Sequence, residues 1–293
     1  MITKFLDPKN DVAFKKIFGT EKNKDILIHF LNDMIIFKEK SPIKEVTFLK
    51  TIQDPEIAAK KTSTVDILCK DEKGNSYIVE MQVAKEKGFE KRAQYYAAKA
   101  YISQMNAKGE YHALKEVIFL AISSFIMFPN KNGFKSDHVI LDKDNHDHDL
   151  QDFSFTFLEL PKFHKKIDEL SDMIDKWAYF FKNARKTLEK DLPKLTAHDE
   201  IMERAYEELN RFSWNEQELL TYEQSQKYEW DYNAMIAQKL DDKYGEGHEK
   251  GKIEGKIEGK IEIAKNLLAQ GMEIKAIVSV TGLSLQDIEN LVP

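Results

Sequence analysis

The chain has 293 residues, 42 % of them hydrophobic, which is enough for a large core and argues against general disorder. Its 44 Lys and Arg against 50 Asp and Glu leave a formal charge of −6, so no global field draws it to nucleic acid and any such contact needs a local basic patch. Cys69 is the one cysteine, which excludes an intrachain disulfide and fits a reducing compartment.

The opening stretch, M-I-T-K-F-L-D-P-K-N-D, has no long apolar run, so no signal peptide is expected. The longest apolar run, Val117 to Phe128, is interrupted by Ser123 and Ser124 and is too short to span a bilayer. The expectation is a soluble, cytoplasmic protein without a membrane partner.

In chain order, Asn10 or Asp11 can cap a short helix, D-V-A-F-K-K-I-F-G, whose Val12, Phe14, Ile17 and Phe18 are helix-spaced and which stops at Gly19. A second helix is predicted over Lys24 to Ile36, with Ile26, Leu27, Phe30, Leu31 and Met34 on one side. A short β-leaning run, Ile43 to Leu49, and a loop holding Asp54-Pro55 lead to Thr62–Val83, which reads as a hairpin. Glu72-Lys73-Gly74 suits its turn, with Gly74 in the left-handed position that glycine adopts without steric cost. Pairing Asp71 with Asn75 then sets the register, putting Asp66 opposite Glu80 and Thr64 opposite Gln82.

Alternation places Tyr77, Val79, Met81 and Val83 on one face and Ile78, Glu80 and Gln82 on the other. Opposed residues have Cβ atoms roughly 4.5–5.5 Å apart, so Asp66 and Glu80 repel unless something compensates. Two readings stand on this spacing: a solvated acidic pair on a half-exposed hairpin, or a divalent-cation site of the kind that holds Mg²⁺ by one or two carboxylates plus water and phosphate oxygens.

A helix from Gly88 to Met105 follows, on which Arg92, Tyr96, Lys99 and Ser103 share a face. That mixture of positive charge and hydroxyl suits phosphate contact, and it equally suits ordinary helix surface. Glu116 to Phe125 has the length and β-branched content of a buried strand. Asp137 to Asp152 carries six aspartates and three histidines, but without a Cys/His ligand spacing it reads as a polar loop rather than a metal site. A strand over Ser154–Leu160 stops at Pro161, and helices are predicted over Asp168–Leu188, Ala197–Arg211 and Glu216 to about Tyr244. Trp177, Tyr179, Phe180 and Phe181 are helix packing.

A repeat comes next, G-K-I-E at 251–254 and 255–258, then K-I-E at 260–262. Three glycines at roughly 1 kcal/mol each make a free helix marginal, leaving a helix that needs a partner or a flexible connector. The final segment breaks at Gly271 and Gly282 into three short helices, the outline of a helix-turn-helix. Its third helix, Ser284 to Leu291, carries Asp287 and Glu289 and no Lys or Arg, which favours packing or assembly over DNA reading.

Gly-rich phosphate loops, a G-x-S-x-G elbow, H-E-x-x-H and zinc patterns are all missing from the sequence. The carboxylate hairpin is the one constellation with chemistry. D-x13-E-x-Q on a hairpin followed by R-A-Q-Y-Y resembles the PD-(D/E)XK nuclease superfamily, and more narrowly the Rpn recombination-promoting nucleases, also described as PD-(D/E)XK nuclease family transposases. N-D-V-A-F-K-K-I-F-G, F-L-E-L-P-K-F, W-A-Y-F-F-K and the G-K-I-E-G tail extend the resemblance over nearly the whole chain.

The resemblance implies an α/β fold, a restriction-endonuclease-like mixed sheet flanked by helices, with a helical C-terminal extension. It divides into a nuclease-like core at 1–165, a helical extension at 166–245, the repeat at 246–262 and a helix-turn-helix-like tail at 263–293. It also implies Mg²⁺-dependent hydrolysis of DNA phosphodiesters in recombination or transposition. Asp66 and Glu80 would hold the metal with the Met81 main-chain carbonyl, Gln82 would complete the catalytic set, and Asp11 would add a further acid. Lys85, Arg92, Tyr96 and Lys99 would meet phosphate. Val65 stands where the superfamily has its proline, and Gln82 where many relatives have lysine. An amide can orient water or phosphate but brings no positive charge, so that charge falls to metal, Lys85, Arg92 or Lys99. The alternatives are a non-cleaving DNA-binding or assembly protein on the same scaffold and a homo-oligomer built through the C-terminal helices.

Overall fold

The computed structural model describes residues 3–35, 41–50, 65–105 and 110–291. The Asp54-Pro55 loop, the start of the hairpin at Thr62–Thr64 with its Thr64–Gln82 pairing, and the end of the second helix at Ile36 lie outside these residues. The chain divides into two compact units, Met1–Lys227 and Tyr228–Pro293.

In the first unit α1 (Asp11–Phe18) is capped by Asn10, whose side chain accepts from the Val12 and Ala13 N–H groups. α2 (Lys24–Met34) follows, then β1 (Val46–Phe48), β2 (Ile67–Asp71), β3 (Ser76–Gln82), α3 (Phe89–Ile102) and β4 (Val117–Ser123). This is the predicted order of elements. β5 (Lys135–Val139) and β6 (Phe153–Glu159) complete a six-stranded sheet ordered β1-β2-β3-β4-β6-β5. β3, β4 and β6 run parallel, while β1–β2, β2–β3 and β5–β6 are antiparallel. The sheet is therefore mixed, as the resemblance implies.

The hairpin register is the predicted one: Ile67 faces Val79 and Lys70 faces Ser76. Gly74 sits at φ 89°, so its turn does use the left-handed region. Asp71 locks the turn. Its Oδ1 accepts from the Lys73 and Asn75 N–H groups and its Oδ2 from Asn75 Nδ2 and the Tyr77 hydroxyl, each at 2.9 Å.

One face of the sheet, through Leu68, Ile78, Phe119 and Phe157, packs on Phe89, Ala93, Ala97 and Ala100 of α3. The other face, through Ile67, Tyr77, Val79, Leu120 and Leu158, belongs to a larger core with α1 and α2. α4 (Met173–Asn183), α5 (Leu192–Thr196) and α6 (Glu200–Glu208) complete that core with Trp177, Phe180, Phe181, Leu195, Met202 and Tyr206. The aromatic run at 177–181 is thus packing, as predicted, and Trp177 Nε1 donates to Asp33 Oδ2 at 2.7 Å to tie α4 to α2.

Several boundaries differ from expectation for local reasons. The first residues of the predicted polar loop form β5, a half-buried edge strand whose K-S-D-H-V sequence has little apolar signal. α4 begins at Met173 rather than Asp168 because Asp172 caps it, accepting the Asp175 N–H at 2.8 Å. α6 cannot start at Ala197, since Ala197 and His198 hold positive φ; Asp199 caps it instead.

α7 (Glu216–Ala269) is a single helix of 54 residues that continues through the glycine repeat. The segment contains no proline, and Lys, Glu and Ile between the glycines keep its helix propensity adequate. In the second unit the end of α7 packs with α8 (Ile274–Thr281) and α9 (Leu285–Glu289) around Ala264, Ile277 and Ile288. Gly271 and Gly282, at φ 78° and 65°, make the two breaks expected from sequence. Asp287 is used locally, in a reciprocal cap with Ser284 at the start of α9.

Candidate functional site

The hairpin's ladder ends at the Ile67–Val79 pair, one step short of Asp66 and Glu80. Beyond it Asp66 turns its carboxylate onto the strand: Oδ2 accepts the Met81 N–H at 2.8 Å, in place of a backbone partner on β2. Glu80 is buried, 5 % exposed, and its Oε1 has no hydrogen-bond partner among the described residues. A buried, unpaired carboxylate oxygen is costly unless a cation or proton satisfies it.

The electrostatics follow. Burial pushes the Glu80 carboxyl up to about 8; Asp66 adds to the rise, while Arg92, the Asp66 N–H and Lys15 oppose it. Asp66 is also raised, first by burial and then by Asp11, against the Met81 N–H, Lys15 and Arg92. The acids thus sit together in a site that disfavours two bare negative charges.

Two helices reach this rim of the sheet from opposite faces. From α3, Arg92 donates to Gln82 Oε1 and to Glu86 Oε2, and its guanidinium lies 4.9 Å from the Phe89 ring and 5.9 Å from the Tyr96 ring. Gln82 in turn donates through Nε2 to the Ala84 carbonyl at 2.8 Å. Arg92 Nε and the Ser124 hydroxyl are buried without partners among the described residues, and Ser124 sits beside Gln82, donating its N–H to the Gln82 carbonyl at 3.0 Å. Burial raises the Tyr96 hydroxyl, with Arg92 opposing and Glu80 adding to the shift. From α1, Lys15 Nζ lies 2.6 Å from Asp11 Oδ1 and 3.9 Å from Asp66 Oδ1. Burial would lower the Lys15 ammonium, but the Asp11 hydrogen bond and the charges of Asp11, Asp66 and Glu80 outweigh it and raise it.

The structure therefore brings together Asp11, Asp66, Glu80, Gln82, Arg92 and Tyr96 of the expected residues. Lys85 stands exposed in the loop after β3, and Lys99 lies half-buried further along α3. Sequence reasoning passed over Lys15, Glu86 and Ser124. For Lys15 a signal existed: it stands four residues after Asp11 on one helix, the spacing at which side chains meet.

Among the described residues no group of three or more His, Cys, Asp and Glu forms a metal cage. Two acids with an orphaned oxygen fit a hydrated hard cation that brings its own water ligands better than an ion needing an all-protein shell.

A family model for PD-(D/E)XK nuclease family transposases matches residues 8–239. The chain belongs to that family. A second model, the C-terminal HTH domain of the Rpn/YhgA-like nuclease family, matches residues 258–293, which agrees with the resemblance to the Rpn nucleases. Comparison with curated proteins and with solved structures gives no match. Family membership and the mixed sheet agree: the chain has the PD-(D/E)XK fold with a helical C-terminal region. No helix among the described residues is long and apolar enough to cross a membrane.

Proposed function

We propose that this chain is a Mg²⁺-dependent DNA endonuclease acting in recombination or transposition. The observation that carries the reading is the Glu80 carboxylate, buried near Asp66 with one oxygen unpartnered among the described residues, at a rim where Arg92 holds Gln82. Asp66 and Glu80 would hold the divalent cation with the Met81 main-chain carbonyl, and Asp11 would stand by as a further acid. When bound, the ion supplies Lewis-acid polarisation of a phosphoryl oxygen and a lowered pKa for water.

The remaining work belongs to the chain. The Met81 N–H fixes one Asp66 oxygen and so aims the other. Gln82, held at both ends by Ala84 and Arg92, acts as a positioning residue for the guanidinium rather than as a charge. Arg92, held on Gln82 and Glu86 with the Tyr96 ring 5.9 Å from its guanidinium, keeps a positive charge beside the acids that suits a phosphate, and Lys85 and Lys99 would add theirs. The helix-turn-helix tail would contribute to DNA engagement or to self-association through the C-terminal helices, in a cytoplasmic setting.

The test is nicking of supercoiled plasmid with Mg²⁺, its loss in EDTA, and its loss in Asp66→Asn and Glu80→Gln. Activity persisting in both variants would sink the site assignment. A second reading, DNA binding without cleavage, is favoured by one observation: the amide at the usual lysine position is occupied at both ends. Salt-sensitive binding with no turnover under Mg²⁺ or Mn²⁺ would select it.

A further inference from the structure

The residue that the proposed reaction leaves unexplained is Lys15. Its helix is anchored by Ala13, Phe14, Ile17 and Phe18, all fully buried, so its Cα is fixed. Its tip is not: the side chain is 47 % exposed and carries the ammonium on a flexible four-carbon stem. Among the described residues it is the cation paired with Asp66, through Oδ1, the oxygen the Met81 N–H leaves open.

A divalent cation bound to that oxygen and to Glu80 Oε1, which has no partner among the described residues, would sit beside the ammonium, and two positive charges a few ångströms apart repel strongly in a partly buried site. The lysine's freedom lets it yield without disturbing the core.

We propose that Lys15 is a displaceable counter-ion of the acid cluster, neutralising Asp11 and Asp66 in the metal-free protein and swinging away when a divalent cation enters. The inference rests on the reading of Asp66 and Glu80 as a metal site. Displacement keeps a positive charge at the mouth of the site, where a phosphate would arrive, and so supplies there what Gln82 lacks. It also makes cation binding a competition, which holds divalent affinity down.

The test uses the full chain as wild type, Lys15→Met and Lys15→Arg, with Mn²⁺ and Mg²⁺ titrated calorimetrically and melting followed in EDTA and in saturating metal. Lys15→Met keeps the length and flexibility of the stem, and Lys15→Arg keeps the charge. Expected is Mn²⁺ binding about tenfold tighter in Lys15→Met and near wild type in Lys15→Arg. In EDTA, Lys15→Met melts below wild type, and metal closes the gap. Equal or weaker affinity in Lys15→Met, with wild type still binding, overturns the counter-ion role and leaves the metal site standing. No binding in any of the three proteins overturns the metal reading itself and this inference with it.

Discussion

Glu80→Gln should make the metal-free protein more stable at alkaline pH. In the folded chain, burial and the neighbouring Asp66 raise the Glu80 carboxyl from 4.5 to about 8. Between those values the native state keeps a proton that the unfolded chain has released, so the native state binds more protons and stability falls as pH rises. The loss begins above the unfolded value and levels off above the folded one. Each pH unit in that window costs about 1.4 kcal/mol, which sets a ceiling of several kcal/mol, and water entering the rim reduces it to about 2–3 kcal/mol. At roughly 2–4 °C per kcal/mol for a domain of this size, Glu80→Gln in EDTA should melt about 4–12 °C above wild type at pH 8.5. The two should converge near pH 5, where both carry a neutral group. Thermal unfolding by circular dichroism across pH 5 to 9 reads this directly. A variant that melts at or below wild type at pH 8.5 would refute the argument, because it would mean that the Glu80 charge is already satisfied without a cation.

Other consequences are more local. Asp71→Ala removes the acceptor that holds the hairpin turn and leaves Tyr77, 1 % exposed, without its partner; urea denaturation should show a loss of about 1–3 kcal/mol. Arg92→Lys keeps the charge but not the fork that reaches both Gln82 and Glu86, so DNA affinity should fall several-fold and the salt dependence of binding should change little, as read by fluorescence anisotropy against salt. Gly255→Ala should strengthen α7 by about 1 kcal/mol, because a Cβ there meets nothing within 4 Å; increased hydrogen-exchange protection around 250–260 would be the readout. Lys162→Met strands the fully buried Glu159 carboxylate, whose Oε2 it holds at 2.7 Å, and should cost about 3–5 kcal/mol by chemical denaturation.

What could be read from the sequence was local. Gly74 and the alternation on either side of it set a register that the tertiary structure keeps from Lys70–Ser76 to Ile67–Val79, because turn geometry and a period of two leave few alternatives. The order of elements through β4, the breaks at Gly271 and Gly282 and the packing role of Trp177 and Phe181 were legible for the same reason. β5 was not, since an edge strand made of Lys, Ser, Asp, His and Val carries no burial pattern of its own and is a strand through its pairing with β6. Nor did the repeat reveal that α7 continues through it.

The site divides along the same line. The amino-acid sequence put Asp66 opposite Glu80 and gave them a reason to seek a cation. Only the folded chain shows that Asp66 spends one oxygen on the Met81 N–H, that Gln82 is tied to Arg92, and that Lys15 comes to the acids from a helix on the other face of the sheet. Contacts between residues far apart in sequence depend on how helices pack on a sheet, and that packing is decided by the whole core rather than by any stretch of chain.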